Sequence, residues 1–285
     1  MTGDGPQGAR FARWRPVAIG ARPHLVRHAV AAPRWTLPPL SIAVIADPHV
    51  CAPWVTVPAL ERIVAQVNAL GADLVLLAGD FIAARQLPGR RIAAADFMPA
   101  LAALRAPLGR FAVMGNHDWR DCALSRATRF QRNSVAEALE THGIPLLRNA
   151  AVTLDHGGGR FHLVGLDSQR PLARNPQPGF HRPGEAFAGV EAGLPAILLA
   201  HEPDYFAEGD TRAFLQISGH THGGQANLFG WRPLTPSLYG GRYGWGHVRD
   251  GGRHLIVSGG IGYSGLPLRL FQPPEITLIT VTGSA

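Results

Sequence analysis

The stretch Ser41-Ile-Ala-Val-Ile-Ala46, followed at once by Asp47-Pro48-His49, decides the fold of this 285-residue chain. A short apolar run that ends at a polar cluster is typical of a buried strand. After it, from Val57 to Leu70, apolar residues recur at the spacing of one helical face, and Gly71 ends the pattern. The sequence therefore predicts a strand followed by an amphipathic helix.

The same alternation continues to residue 114. Asp73–Gly79 is a second apolar run, Ala94 to Leu104 has a helical pattern, and Phe111–Met114 is a third apolar run. Strands that alternate with helices pair in parallel, because each helix carries the chain back across the sheet. We therefore predict an α/β fold whose first half holds parallel strands.

The second half of the chain is richer in strand patterns, with few helical patterns between them. The candidate strands there are Ala151–Leu154, Phe161–Leu166, Ala196–Ala200, Phe214–Ser218, His254–Ser258 and Ile276–Val281. Two sheets packed face to face, the first with helices outside, accommodate this mixture. No repeat or long linker divides the chain. We predict a basic N-terminal arm over residues 1–38 and one domain over residues 39–285.

The composition excludes several classes of protein. Hydrophobic residues make up 46% of the chain and charged residues 16%, which allows a substantial core. Two cysteines cannot build a disulfide scaffold. No apolar run approaches the roughly 18–20 residues that span a bilayer, so we expect no transmembrane helix.

The net charge is +7, and the 27 basic residues are all arginine, against 20 acidic residues. These arginines are scattered and form no stripe with interleaved aromatic residues, so we expect no stable nucleic-acid complex. They are most concentrated in the N-terminal arm, at Arg10, Arg13, Arg15, Arg22, Arg27 and Arg34. The arm lacks the apolar stretch of a secretory signal, and we predict a cytoplasmic protein. The arm is interpreted either as loosely ordered or as a peripheral contact with the anionic inner membrane.

Five polar clusters come directly after apolar runs. They are Asp47-Pro48-His49, Gly79-Asp80, Gly115-Asn116-His117-Asp118, His201 and Gly219-His220-Thr221-His222. Loops at the carboxyl ends of strands converge, so these side chains are expected to meet. Asp and His ligands without thiolates suit Mn, Fe, Zn or Ni, with Mn favoured here. The number of candidate ligands exceeds the needs of one ion and predicts two divalent ions about 3.5–4 Å apart.

These clusters, in this order, resemble the signature of the calcineurin-like metallophosphoesterase superfamily over about residues 41 to 281. The resemblance implies that Asp47, His49, Asp80 and His222 hold one metal ion. It implies that Asp80, Asn116, His201 and His220 hold the other, with Asp80 bridging. It also implies a four-layer α/β/β/α sandwich of two mixed sheets with flanking helices, in agreement with the pattern of apolar runs.

A site with two dications and two aspartates stays net positive, attracts phosphate, and activates a metal-bridging hydroxide as the nucleophile. The resemblance places His117 beside the metals without binding them. There His117 is expected to protonate the departing oxygen. Asp118, the next residue, is predicted to fix the orientation of the His117 ring.

Details of the motifs point to a subgroup. Phosphoprotein phosphatases of the superfamily carry Asp-Arg-Gly after the bridging Asp and Glu after Gly-Asn-His, and neither is present here. The stretches His201-Glu-Pro-Asp204 and Gly219–Gln225, with the glycine-rich run near Gly260 and the later Arg269, resemble a bacterial phosphodiesterase branch. Arg269 is interpreted either as approaching substrate or as an ordinary surface arginine.

We therefore predict a phosphodiesterase or pyrophosphatase that acts on a small phosphate ester with a nucleotide-type or lipid-linked group. The alternatives within enzymes are a phosphomonoesterase and a pyrophosphatase of the UDP-2,3-diacylglucosamine type acting at the membrane surface. Outside enzymes, the alternatives are a non-catalytic scaffold, which would usually have lost a ligand, and a basic nucleic-acid binder.

Overall fold

A computed structural model of the protein describes residues 22–84, 89–171 and 179–284. Its strands are β1 His24–Ala32, β2 Leu40–Ile45, β3 Cys51–Ala52, β4 Leu74–Leu77, β5 Arg90–Arg91, β6 Arg110–Ala112, β7 Ala150–His156, β8 Gly159–Leu166, β9 Ala196–Ala200, β10 Leu215–Ser218, β11 Gly246–Asp250, β12 Arg253–Val257 and β13 Glu275–Gly283. Its α-helices are α1 Val57–Asn68, α2 Ala94–Ala102, α3 Asn116–Arg120, α4 Ala123–Ala127, α5 Ser134–Thr141 and α6 Pro183–Ala186.

Most strands belong to two large mixed sheets. The first sheet has the order β1-β13-β2-β4-β6, and its only antiparallel pair in the described residues is β13 with β2. The second has the order β11-β12-β10-β9-β8-β7, with parallel strands in the centre and an antiparallel pair at each edge. Strands β3 and β5 form a short antiparallel pair of their own.

The two sheets pack face to face because successive side chains of a strand point to opposite faces. In β2, Ile42 and Val44 lie in the core between the sheets, while Ala43 and Ile45 lie in the core beneath helices α1, α2 and α5. The outer face of the second sheet is covered by α6 and by a 3₁₀ helix, Pro203–Glu208. The predicted four-layer α/β/β/α sandwich is therefore confirmed.

Helix α1 is the amphipathic helix that the apolar spacing predicts. Thr56 caps its first turn by accepting a hydrogen bond from the Ala59 N–H, and Pro58 lies where no backbone donor is needed. Its apolar stripe is buried against the first sheet. The helix ends at Asn68, two residues before the predicted end at Leu70. The other predicted strands and helices are present, with ends shifted by a few residues.

The interpretation of residues 24–38 as part of a loosely ordered arm is wrong. Strand β1 pairs in parallel with β13 along its whole length, and Trp35 is buried between the sheets. From Arg27 onward, exposed and inward-facing residues alternate, which is the pattern of an edge strand with one solvated face. The scattered arginines and prolines obscure this alternation in the sequence. Residues 1–21, with Arg10, Arg13 and Arg15, lie outside the described residues, and the division at residue 38 stays a prediction.

The helices of the described residues do not reach the combination of length and apolarity that crossing a lipid bilayer requires.

Candidate metal centre

The polar clusters lie in loops at one edge of both sheets. Asp47 follows β2, Asp80 follows β4, and Asn116 begins α3 after β6. From the second sheet, His201 follows β9, and the segment His220–His222 follows β10. Parallel strands direct their carboxyl ends to the same edge, so loops of two different sheets meet there. All seven predicted metal ligands are buried.

Three groups of side chains in the described residues lie close enough together to hold an ion. One of them, His49, Asp80 and His117, shares His49 with the first of the other two groups and Asp80 with the second. In the first, ligand atoms of Asp47, His49 and His222 lie within 4.8 Å of one another. The Nε2 atoms of His49 and His222 are 3.1 Å apart, and His222 Nε2 is 3.9 Å from Asp47 Oδ1. The second group is formed in the same way by Asp80, His201 and His220.

Asp80 connects the two groups. Its Oδ2 lies 3.2 Å from His201 Nε2 and 3.6 Å from His49 Nε2. Asn116 completes the second group, since its Oδ1 is 3.3 Å from His201 Nε2. The structure therefore brings together all seven residues, and the position of Asp80 agrees with the bridging role that the resemblance implies. That each side chain ligates a metal stays a prediction.

The histidines are oriented by the backbone. One ring nitrogen of each of His49, His201 and His220 lies 3.0, 2.6 and 3.0 Å from a backbone carbonyl oxygen. A carbonyl only accepts, so that nitrogen donates its proton, and in His49 and His220 the other nitrogen directs a lone pair into the centre. The other nitrogen of His201, Nε2, lies 3.2 Å from Asp80 Oδ2, and against the effect of burial this carboxylate raises the pKa of His201 well above the usual value. For His220 this other nitrogen, Nδ1, is buried without a hydrogen-bond partner among the described residues. A buried lone pair without a hydrogen-bond partner is suited to bind a metal ion.

The pKa values of the predicted ligands also indicate a metal site. Burial lowers the pKa of His49 to about 4 and also holds the pKa values of His220 and His222 well below the usual value, so these rings are neutral near pH 7. Burial, reinforced by the nearby Asp80 carboxylate, raises the pKa of Asp47 to about 7. Neutral imidazoles and crowded carboxylates are the groups that divalent transition-metal ions stabilise. The donor set fits a dinuclear divalent metal site.

The backbone of the centre is strained. Five predicted ligands have positive φ values of 42° to 71°: Asp47, His49, Asp80, His220 and His222. Residues with a β-carbon rarely adopt this conformation, and such strain concentrates at functional sites. Two glycines are required for a different reason. A β-carbon on Gly115 would lie 2.2 Å from Asp80 Oδ1, and one on Gly219 would lie 2.6 Å from Asp47 Oδ2.

His117 lies at the rim of the centre. Its ring packs edge-on against His49 at a centroid distance of 5.0 Å, and its backbone N–H donates to Asp80 Oδ1 at 2.7 Å. His117 Nδ1 lies 2.6 Å from Asp121 Oδ2, and Arg120 Nη2 lies 2.7 Å from its Nε2. Sequence reasoning missed Asp121 and Arg120, although the spacing His-x-x-x-Asp places two side chains on one helical face.

The prediction that Asp118 orients the His117 ring is wrong. The Asp118 carboxylate accepts hydrogen bonds from four backbone N–H groups, those of Asp80, Phe81, Ile82 and Gly115, at 2.8–3.1 Å. Adjacent residues of a helix point about 100° apart, because a turn holds 3.6 residues. Asp118 therefore faces the loop that carries Asp80 and holds its backbone in place.

Both interpretations of Arg269 are also wrong. Its guanidinium is fully buried and donates to backbone carbonyl oxygens of Gly259, Gly260 and Gly262 and of His222, at 2.6–3.3 Å. Burial lowers its pKa to about 10, so it remains charged near pH 7. Arg269 thus ties the glycine-rich run to the metal centre. No local pattern in the sequence indicates this contact.

Comparison with known proteins supplies independent evidence. The calcineurin-like phosphoesterase family matches residues 40–224. "Uncharacterized metallophosphoesterase YkuE" of Bacillus subtilis (strain 168) is 30% identical over 246 residues, which are 85% of this chain and 79% of that protein. "Phosphodiesterase YaeI" of Escherichia coli (strain K12) is 30% identical over 259 residues, covering 90% of this chain and 87% of that protein. An "uncharacterized metallophosphoesterase" of Aquifex aeolicus (strain VF5) is 31% identical over 64% of each chain.

Proposed function

The chain belongs to the calcineurin-like phosphoesterase family and is a phosphoric ester hydrolase, and on this premise we propose that it cleaves phosphodiesters or pyrophosphates with two metal ions. One observation carries the proposal: two groups of buried ligands meet at the single carboxylate of Asp80. The YaeI relative is named a phosphodiesterase, and the motifs after Asp80 and His117 differ from those of phosphoprotein phosphatases, which supports the choice of substrate class.

In this proposal, Asp47, His49 and His222 would hold one divalent ion and Asn116, His201 and His220 the other, with Asp80 available to both. Manganese is the proposed metal, among Mn, Fe, Zn and Ni. Bound in this way, the ions would supply the Lewis acidity that activates water and offsets the negative charge of the phosphate. The protein holds its own donors in place with backbone hydrogen bonds and with the carboxylate of Asp118.

His117 and Arg120 act on the substrate. The Asp121 carboxylate accepts the Nδ1 proton of His117, which leaves Nε2 with a lone pair toward which Arg120 Nη2 donates. Nε2 therefore takes up a proton from solvent, forming the imidazolium, before it gives that proton to the departing oxygen. The guanidinium of Arg120 lies beside Nε2, and its side chain is 28% exposed, so a phosphate oxygen can reach it. A guanidinium at this position stabilises charge on the phosphate as the ester bond breaks.

A substrate panel tests the proposed substrate class. Phosphomonoesters, phosphodiesters and nucleotide-sugar pyrophosphates are assayed with Mn, Fe, Zn and Ni in turn. We expect the highest kcat/KM for a diester or a pyrophosphate. A highest value for a monoester would identify a phosphomonoesterase. No turnover of any substrate with any metal would favour the alternative that the protein is a non-catalytic scaffold.

Replacement of the shared ligand tests the metal arrangement. Wild-type protein is expected to contain about two ions per chain, and Asp80→Asn to lose at least one, because an amide is a poorer bridging ligand than a carboxylate. Metal content is measured by atomic emission after gel filtration. The control is Asp96→Asn on the exposed side of α2. A full metal load in Asp80→Asn would contradict the bridging role.

A further inference from the structure

In the described residues, large apolar side chains are exposed in only two loops. The first loop exposes Phe229, Trp231, Leu234, Leu238 and Tyr239, and the second exposes Leu266 and Leu268. These seven side chains form the apolar face. Leu238 is 74% exposed and Trp231 is 65% exposed. Concentrated exposure of this kind marks a surface that contacts another apolar phase or molecule.

The two loops form one surface. The backbone of Ala226 forms a bridge with Leu270, and the Gln225 side chain donates to the carbonyl oxygens of Leu266 and Leu268 at 3.3 Å. The Ser264 N–H in turn donates to the Gln225 side chain. These contacts hold the start of the first loop against the second loop.

The apolar face is attached to the metal centre. The carbonyl oxygen of Pro236, in the first loop, lies 3.0 Å from His220 Nε2 and orients that ring. The Thr221 hydroxyl donates to the carbonyl oxygen of Gly244 at 2.8 Å, and Arg232 Nη1 donates to that of Gly223. The loop that presents the apolar side chains is therefore the same loop that supports the metal-ligand segment.

Charged side chains lie beside the apolar face. The buried Asp204 carboxylate accepts hydrogen bonds from the Ser237 hydroxyl and the Leu238 N–H within the first loop. Arg242 is exposed beside the apolar face and stacks on Tyr243, which in turn contacts the ring of Tyr239. Tryptophan, tyrosine and leucine next to arginine match the composition of surfaces that insert at a lipid interface.

We propose that the apolar face docks the protein onto an anionic lipid bilayer. Loop tips that carry Trp231, Leu238 and Leu266 can enter a fluid headgroup region without a complementary pocket, while the exposed Arg242 attracts anionic headgroups. A second copy of the chain is a poorer occupant. Residues 226–245 and 264–270 contain no acidic residue, and Asp204 beside them is buried, so a two-fold contact through the apolar face would give Arg242 no exposed carboxylate to pair with.

Docking in this orientation brings the metal centre to the bilayer surface, because His220 and the apolar face belong to connected segments. A phosphate ester carried on a lipid would then be within reach of the centre. This last step rests on the proposed function, whereas docking itself does not.

Vesicle sedimentation with the full chain tests the proposal. The vesicles contain phosphatidylcholine alone or phosphatidylcholine mixed with phosphatidylglycerol. Wild type is expected to bind the anionic vesicles. The triple variant Trp231→Gln, Leu238→Asn, Leu266→Asn is expected to bind them at least about tenfold more weakly than wild type, because three apolar side chains no longer insert into the bilayer. Arg242→Gln is also expected to weaken binding.

The matched control is Arg105→Gln. Arg105 is exposed just after α2, near the carboxyl end of α1, at the end of the sheet opposite the metal centre, and its replacement is expected to leave binding unchanged. The melting temperature and metal content of each variant confirm that it is folded.

Four results would overturn the proposal. Wild type does not bind anionic vesicles, or the triple variant binds them as wild type does. Replacement of Arg10, Arg13 and Arg15 by Gln abolishes binding while the triple variant retains it, which would identify the N-terminal arm as the contact. Wild type is a dimer that the triple variant dissociates, with no vesicle binding by either, which would identify a second copy as the occupant.

Discussion

At the scale of single residues, the contrast between Asp118 and Asp121 shows how helix geometry assigns roles. Both carboxylates lie within four positions of His117 along the chain. Only Asp121 shares its helical face, and it holds His117 Nδ1 at 2.6 Å. Asp118 points the other way and accepts four backbone N–H groups. One acidic residue therefore orients the ring, and the other supports the loop of the shared metal ligand.

The variant Asp121→Asn tests whether Asp121 orients the His117 ring without affecting the metal ligands. We expect kcat to fall about tenfold to a hundredfold, because an amide can leave His117 in the wrong tautomer or orientation. Metal content is expected to stay at the wild-type level, since Asp121 contacts none of the predicted ligands in the structure. The assay is steady-state kinetics on the best substrate, with metal analysis of the same sample.

Asp118→Asn is the comparison for Asp121→Asn, because Asp118 accepts hydrogen bonds from backbone N–H groups rather than from the His117 ring. It is expected to lower the melting temperature, because the amide nitrogen of Asn cannot accept a hydrogen bond and two of the four backbone N–H groups lose their acceptor. Equal kcat values for Asp121→Asn and wild type would show that the contact with His117 is not used in catalysis.

At the scale of elements, strand β1 extends the first sheet beyond the part that apolar runs predict. Trp35, just after this strand, is 1% exposed and packs against Phe161 and Phe214 of the second sheet at centroid distances of 5.2 and 6.0 Å. Its Nε1 donates to the Pro38 carbonyl oxygen at 2.9 Å. The segment before residue 38 therefore helps to hold the two sheets together.

Two tryptophans in contrasting surroundings test this role. Trp35→Ala is expected to lower the free energy of unfolding by about 3–5 kcal/mol, because a large cavity opens between the sheets. Trp231→Ala, which removes a largely exposed side chain, is expected to change it by less than about 0.5 kcal/mol. Urea denaturation measures both. A similar small effect for the two variants would show that β1 and its flanking residues add little to the fold.

At the scale of the whole molecule, side chains from both sheets meet at the metal centre, whose ligands come from loops of both sheets. Side chains of the two sheets also meet at the side of the sandwich where β1 and β11 are the edge strands. There His28 of β1 faces His247 of β11, and His247 Nε2 lies 2.9 Å from His254 Nδ1 of β12.

This second contact predicts a dependence of stability on pH. Burial lowers the pKa of all three histidines, and for His247, where the neighbouring His254 adds repulsion, to about 4. In the unfolded chain a histidine has a pKa of about 6.5. Between these values the unfolded state binds protons that the folded state does not, so the free energy of unfolding falls as the pH drops from about 6.5 toward about 4.

His247→Gln removes one of these groups. We expect its melting temperature to fall less than that of wild type when the pH is lowered through this window. Thermal unfolding followed by circular dichroism provides the measurement. The control, His24→Gln, replaces an exposed histidine on β1 and is expected to follow the wild-type curve. Parallel curves for His247→Gln and wild type would contradict the assignment.

The local pattern of apolar and polar residues is enough to predict many of the strands and helices of this protein and the residues of its candidate metal centre. The strands β2 and β4 and the helix α1 follow from apolar spacing, because burial of one face imposes a period on neighbouring residues. The metal-centre residues can be found because each lies directly after such a strand, and the carboxyl ends of strands converge. Their order along the chain is sufficient to indicate the family.

Other features depend on which distant segments meet, and a local pattern cannot encode that. The pairing of β1 with β13 joins residues about 250 positions apart. Arg269 has its role only because the glycine-rich run folds back onto His222. Asp121 is distinguished from Asp118 by the direction of its side chain, and the apolar face exists because two loops lie side by side. The sequence by itself determined the elements with a clear apolar period and the predicted ligands, since these follow from near neighbours. The tertiary structure alone decided the pairing of β1 and the contact partners, since these follow from packing across the whole molecule.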